Sequence, residues 1–101
     1  MRRGNTDRNQ AEAIAYIRSC GMSVQTLHSV GNGCPDLLVG WRSHDYLVEI
    51  KRRRDDGYVT QPTQCQRDWH AAWAGDPVIV AVSGKDAVEQ IVERHKGGSP
   101  K

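Results

Sequence analysis

Gly33-Cys34-Pro35-Asp36-Leu37-Leu38-Val39-Gly40, a polar connection, and then Asp45-Tyr46-Leu47-Val48-Glu49-Ile50-Lys51-Arg52-Arg53-Arg54 form the stretch that decides how this chain is read. Two short apolar runs flank a Gly/Trp/Arg/Ser/His segment, the pattern of two buried strands joined by a hairpin turn. Asp36, Glu49 and Lys51 stand within or at the ends of those runs. An ionised group in a strand core is costly unless it is paired or bound to a metal, so three such groups need a reason.

Strand geometry offers one. Side chains alternate faces, which puts Glu49 and Lys51 on one side, about 7 Å apart, and leaves Val48 and Ile50 to pack on the other. If the two strands pair, Asp36 joins them, and two carboxylates and one ammonium converge on one patch. A hard cation such as Mg²⁺ takes oxygen ligands and keeps several waters, so Asp36, Glu49 and the Ile50 main-chain carbonyl suffice as protein ligands. Lys51 then lies where it can orient an attacking water or offset charge developing on a phosphate. Arg52, Arg53 and Arg54 read either as a solvated charge run or, beside a metal site, as contacts to a phosphate backbone.

At these residues the chain resembles the PD-(D/E)XK nuclease superfamily: Pro35-Asp36 matches the first half of its signature and Glu49-Ile50-Lys51 the second. More narrowly, it is similar to a stand-alone VRR-Nuc domain. That likeness runs from Asn9-Gln10-Ala11-Glu12 through the signature to Thr63-Gln64-Cys65-Gln66 and the segment from Val78 to Ile91. The resemblance implies an α/β fold with a restriction-endonuclease-like αβββαβ core, a C-terminal helix, and a mixed four-stranded sheet flanked by helices. It further implies a Mg²⁺- or Mn²⁺-dependent endodeoxyribonuclease that cuts branched DNA, such as four-way junctions or flaps, often as a homodimer with two active sites. No small-molecule cofactor is expected. By the same resemblance Glu12 joins Asp36, Glu49 and Ile50 at the metal, and Gln66 lies near the catalytic Lys51. Read from the residues alone, Glu12 is equally an acid placed favourably near a helix N-terminus or on a solvated face. Gln66 is equally the third residue of a capping box opened by Thr63.

Composition sets bounds on this reading. A chain of 101 residues is one domain with one core. Its apolar share is 38% and Phe is absent, so three Trp with Val, Ile and Leu are expected to supply the packing, and dimerisation would help a marginal monomer. A formal charge of +2 permits nucleic-acid binding without demanding it. Cys20, Cys34 and Cys65 are an odd count without Cys-x-x-Cys spacing, which argues against a disulfide framework or zinc knuckle and for a reducing cytoplasm. No run approaches the roughly 20 apolar residues of a membrane span, and the N-terminus lacks the apolar core of a signal peptide, so a soluble intracellular protein without membrane contact is expected.

Taken in order, Ala11, Ile14, Ala15 and Ile17 predict an amphipathic helix over 7–20, capped by Thr6 and stopped by Gly21; if it lies on the sheet along the Ala15 and Tyr16 stripe, it aims Glu12 inward as the resemblance implies. Met22 to Val30 reads as a strand whose period slips between Val24 and Leu27, with His28 on its exposed side, and Gly31-Asn32-Gly33 as a turn. Asp55-Asp56-Gly57 is a second turn, followed by a polar, flexible segment to Pro62. The helix opened by Thr63 carries Trp69, Ala72 and Trp73 on one stripe, a core pattern more often than a base-stacking platform, with His70 beside it at the surface or an interface. Val78 to Val82 is a continuous apolar run, the mark of a central strand covered on both faces. Ser83 caps a last helix with Ala87, Val88, Ile91 and Val92 on its apolar face, and residues 1–5 and 96–101 are expected to be mobile tails. The order is helix, three strands, helix, strand, helix. Two other functions fit the same residues. One is a non-catalytic nucleic-acid-binding module using Lys51 to Arg54, and the other an interaction domain anchored by Trp41, Trp69 and Trp73.

Overall fold

The computed structural model describes residues 4–52 and 56–97. Its elements are α1 (Gly4–Ser19), β1 (Ser23–Thr26), β2 (Leu37–Trp41), β3 (His44–Ile50), α2 (Gln64–Ala72), β4 (Ile79–Ala81) and α3 (Gly84–Gly97), in the expected order. The strands make one mixed sheet in the order β1-β2-β3-β4, antiparallel at the first two joints and parallel at the third.

Alternation along the strands sorts the residues into two layers. Leu37, Val39, Tyr46, Val48, Ile79 and Ala81 face one side, where they are buried with Ile17 of α1 and with Ala87 and Ile91 of α3. Each such aliphatic side chain contributes about 1.5–3 kcal/mol on burial, so this face holds most of the stability. The other face carries Leu38, Leu47 and Glu49 and is overlain by α2, none of whose residues is buried. The core is therefore aliphatic with Met22 and one Tyr. Of the three Trp expected to supply packing, Trp41 is half-buried against this core, whereas Trp69 and Trp73 stack on each other with ring centroids 4.8 Å apart and Trp73 stays 46% exposed.

Several boundaries differ from the sequence reading. α1 begins at Gly4, so Thr6 lies inside the helix rather than at its cap. β1 stops where the apolar period slips: the Leu27 N–H donates to the Asp36 carbonyl and the chain turns. The β2–β3 hairpin is tighter than the polar run suggested. Trp41 pairs with His44, which leaves only Arg42 and Ser43 in the turn, at φ +50° and +68°, the two-residue geometry whose twist matches its strands. β4 is an edge strand, not a central one. Its apolar run reflects Ile79 and Ala81 turned to the core, while Val80 on the α2 side is 39% exposed. Ser83 caps α3 as expected, its Oγ accepting from the Asp86 N–H at 3.0 Å, and Asp86 Oδ2 accepts in return from the Val82 N–H. Of the presumed tails, Gly4 and Asn5 belong to α1 and Lys96 and Gly97 to α3; the remainder lie outside the described residues. Among the described residues no helix is long and apolar enough to cross a membrane.

The two helices on the core face meet closely at Gly84, where a Cβ would sit 2.8 Å from the Ala13 carbonyl oxygen and 3.0 Å from Tyr16 Cβ. Gly84→Ala is expected to wedge α3 from α1 and to destabilise the protein by about 1–3 kcal/mol, measured as a lower urea midpoint at unchanged m-value. An unchanged midpoint would mean that the helices separate without cost.

Candidate active site

The register that pairs Leu37 with Val48 carries on one step, bringing Asp36 beside Glu49 on the α2 face. Asp36 Oδ2 accepts the Ile50 N–H at 2.8 Å, so the side chain takes the place of the next rung of the ladder. The N–H and C=O of a strand residue address the same neighbour, and the Ile50 carbonyl therefore shares the Asp36 edge. Lys51 turns the other way, its N–H donating to the Ala81 carbonyl at 2.7 Å, which keeps its side chain on the Glu49 face. Glu49 is 2% exposed and Lys51 6%, with Lys51 Nζ 3.6 Å from Glu49 Oε2.

Gln66 joins these groups. Its Nε2 donates to Glu49 Oε2 at 2.6 Å, and its Oε1 accepts from Lys51 Nζ at 2.9 Å. The same Oε1 accepts the Thr63 N–H at 2.9 Å while Thr63 Oγ1 accepts the Gln66 N–H at 3.2 Å, completing a capping box. An amide oxygen has two lone pairs, so capping α2 and binding Lys51 are compatible and one side chain does both. α2 starts hard against the 31–33 turn. Gly33 has φ +85°, and a Cβ there would overlap the Cys65 carbonyl oxygen and come within 3.2 Å of its Sγ.

Burial, followed by the neighbouring Asp36 carboxylate, pushes Glu49 up to about 7 despite the opposing Lys51 charge. Burial likewise raises Asp36, against the Ile50 N–H bond and the Lys51 and His28 charges. Glu49 Oε1 is buried with no hydrogen-bond partner, and an unsatisfied buried acceptor is costly. Two adjacent carboxylates, one orphaned oxygen and a carbonyl on the same edge form a donor set that fits a hard divalent cation.

The cleft over these groups, about 290 Å³, is lined further by Gln10, Thr60, Gln61 and Thr63. Arg52 is exposed at its margin, whereas Arg53 and Arg54 lie outside the described residues. Glu12 does not join the site. It is exposed, because α1 buries the stripe of Ala13 and Ile17 rather than that of Ala15 and Tyr16, and Gln10 takes the inward position instead. Among the described residues no three His, Cys, Asp or Glu side chains come together at one ion-sized site, which leaves two carboxylates as the acidic share. The segment expected to be flexible is fastened: Thr60 N–H donates to the Arg52 carbonyl at 3.0 Å, and Thr60 Oγ1 accepts the Arg52 N–H at 3.1 Å. His28 is exposed, in the turn that follows β1 rather than on the strand. His70 lies closer in than expected, half-buried with Nε2 unpartnered and its pKa lowered by burial and then by Lys51. Gln10 was legible in principle from its spacing to Ala13 and Ile17; nothing in the sequence marks Thr60 or Gln61.

No protein-family model matches the chain, and neither a curated protein nor a solved structure does.

The raised Glu49 pKa has a signed consequence for the metal-free protein. Between its ordinary 4.5 and about 7 the folded chain keeps a proton that the unfolded chain has lost, so stability falls as pH rises through that window and levels above it. Urea midpoints in EDTA should show this loss in the wild type relative to Glu49→Gln, a difference that removes the contribution of His70, which acts in the opposite sense. Parallel profiles for the two proteins would refute the assignment.

Proposed function

We propose that the protein is a divalent-metal-dependent nuclease that hydrolyses phosphodiester bonds, an endonuclease acting on branched DNA such as four-way junctions or flaps. The observation that carries this reading is buried Glu49 beside half-buried Asp36, with buried Lys51 next to them and Glu49 Oε1 unpartnered. A purely structural ion pair matches its charges and satisfies its oxygens. Two carboxylates against one ammonium instead suit a bound cation and a phosphate. A module that only binds nucleic acid has no use for such a pair, which by itself repels phosphate.

Asp36, Glu49 and the Ile50 carbonyl would hold Mg²⁺ or Mn²⁺. Such an ion supplies a Lewis acid that activates water and offsets charge at the scissile phosphate. Lys51 has three N–H donors, one of them directed to Gln66, which leaves others to orient the attacking water or to meet a phosphate oxygen as charge develops on it. Gln66 is a positioning residue that holds the Lys51 and Glu49 side chains in register. Arg52 at the margin offers a salt-sensitive phosphate contact. The resemblance to PD-(D/E)XK and VRR-Nuc nucleases supports the same roles, and from it come the branched substrate and the homodimer with paired sites. Three free cysteines suit a cytoplasmic enzyme.

Glu49→Gln and Lys51→Ala are each expected to lower Mg²⁺- or Mn²⁺-dependent cleavage of end-labelled four-way and flap DNA by about 100-fold or more, with an intact circular-dichroism spectrum. Retained cleavage in either variant overturns the roles. Gln66→Ala is expected to weaken divalent-ion binding about 10–100-fold by calorimetric titration. Light scattering at micromolar concentration should report a dimer; a monomer that still cuts junctions symmetrically removes the paired-site part.

A further inference from the structure

On the α2 side of the sheet a second concavity of about 440 Å³ adjoins the carboxylate cleft. Leu38 and Leu47 of the sheet wall it together with Leu27, which follows β1, Trp69 of α2 and Trp73 at that helix's C-cap. The two sites share their supports. Leu47 lies on the Glu49 face of β3, about 7 Å back along the strand. Trp69 follows Gln66 by one turn of α2, and Trp73, the C-cap of that helix, stacks on it. Cys34, which precedes the Pro35-Asp36 pair, lines this second pocket as well.

We infer that this pocket receives an unstacked nucleobase from the strand whose phosphate lies at Asp36 and Glu49, an inference that rests on the nuclease reading above. The two indoles stack on each other within 13° of parallel, which leaves each an outer face free of its partner, and Trp73 stays 46% exposed. Bases stack on such surfaces with little sequence preference, since every base has a π-face. Asp45 and Asp76 also line the pocket. As carboxylates they only accept hydrogen bonds and they repel phosphate, whereas the exocyclic amino groups of A, C and G are donors. An apolar protein surface docked here would bury both acids without donors, which is unfavourable. Unpaired bases at a branch are also the ones displaced from the stack at least cost, so the pocket gives a physical ground for preferring branched DNA.

The test uses the full chain in EDTA, so that binding is read apart from cleavage, and the anisotropy of end-labelled flap DNA. An abasic site is scanned one nucleotide at a time across the branch. At one position it should raise the dissociation constant of the wild type roughly 5- to 100-fold, a measurement independent of how any variant folds. Trp73→Ala should cost intact DNA a similar factor and leave that abasic DNA unaffected, with Trp73→Phe largely restoring binding. In a Trp41→Phe background, intact flap DNA should quench the remaining tryptophan emission. Equal affinity for intact DNA and every abasic DNA overturns the pocket. So does a Trp73→Ala loss that is the same with and without the base, or light scattering in which Trp73→Ala dissociates a dimer and exposes shielded tryptophans. Cleavage by the wild type without abasic dependence removes the pocket alone. Abasic-dependent binding without any metal-dependent cleavage removes the hydrolytic reading and leaves the pocket. Failure to bind DNA with Mg²⁺ as well as in EDTA removes both, and binding that requires Mg²⁺ but shows no abasic dependence removes the pocket.

Discussion

Burying Glu49 next to Asp36 places two like charges in a patch of low dielectric with one ammonium to oppose them, and the surrounding structure is arranged to hold that combination. Each neighbour answers part of the repulsion. Asp36 gives an oxygen to the Ile50 N–H, Lys51 is pinned by its main chain to β4, and Gln66 bridges Glu49 to Lys51. The division of the sheet follows from the same constraint. One face is given over to aliphatic packing under α1 and α3, so the other is free to carry groups that do not pay their own way in stability.

α2 illustrates how far this division goes. With no buried residue of its own, the helix is located by its Gln66 contacts, by its close start against Gly33 and by Trp69, which shares a pocket with Leu38 and Leu47. A helix held in large part by the residues it serves has its position tied to the state of the carboxylates. The Thr60 clamp holds another wall of the cleft, with both the N–H and the Oγ1 of Thr60 bonded to the Arg52 main chain.

What was legible in the sequence was local or periodic. The hairpin, the facing of Glu49 and Lys51, the adjacency of Asp36 and the Thr63–Gln66 box all follow from a period of two or from a short capping pattern. Helical phase was less decisive: α1 carries small or apolar residues on two stripes, and choosing Ala15 and Tyr16 over Ala13 and Ile17 turned Glu12 inward when Gln10 holds that place. The Val78 to Val82 run misled because an apolar stretch records what one face buries and cannot say whether a strand has a second neighbour. The Trp pair misled in a similar way, since an i, i+4 stripe specifies a shared side and not what lies against it. Thr60 is a tertiary contact between polar residues of ordinary type, and no local pattern announces it.

The turn between β2 and β3 holds one more consequence. Arg42 and Ser43 both adopt left-handed backbone conformations, where a side chain crowds the adjoining carbonyl and each non-glycine residue forfeits about 1–2 kcal/mol. The site lies at the far end of β3, so the hairpin is an untapped reserve: replacing the pair by Asn-Gly would relax that crowding and make the scaffold hardier without touching a residue of the cleft. A protein with such slack remote from its chemistry has room to absorb destabilising changes near Glu49 while its sheet stays intact.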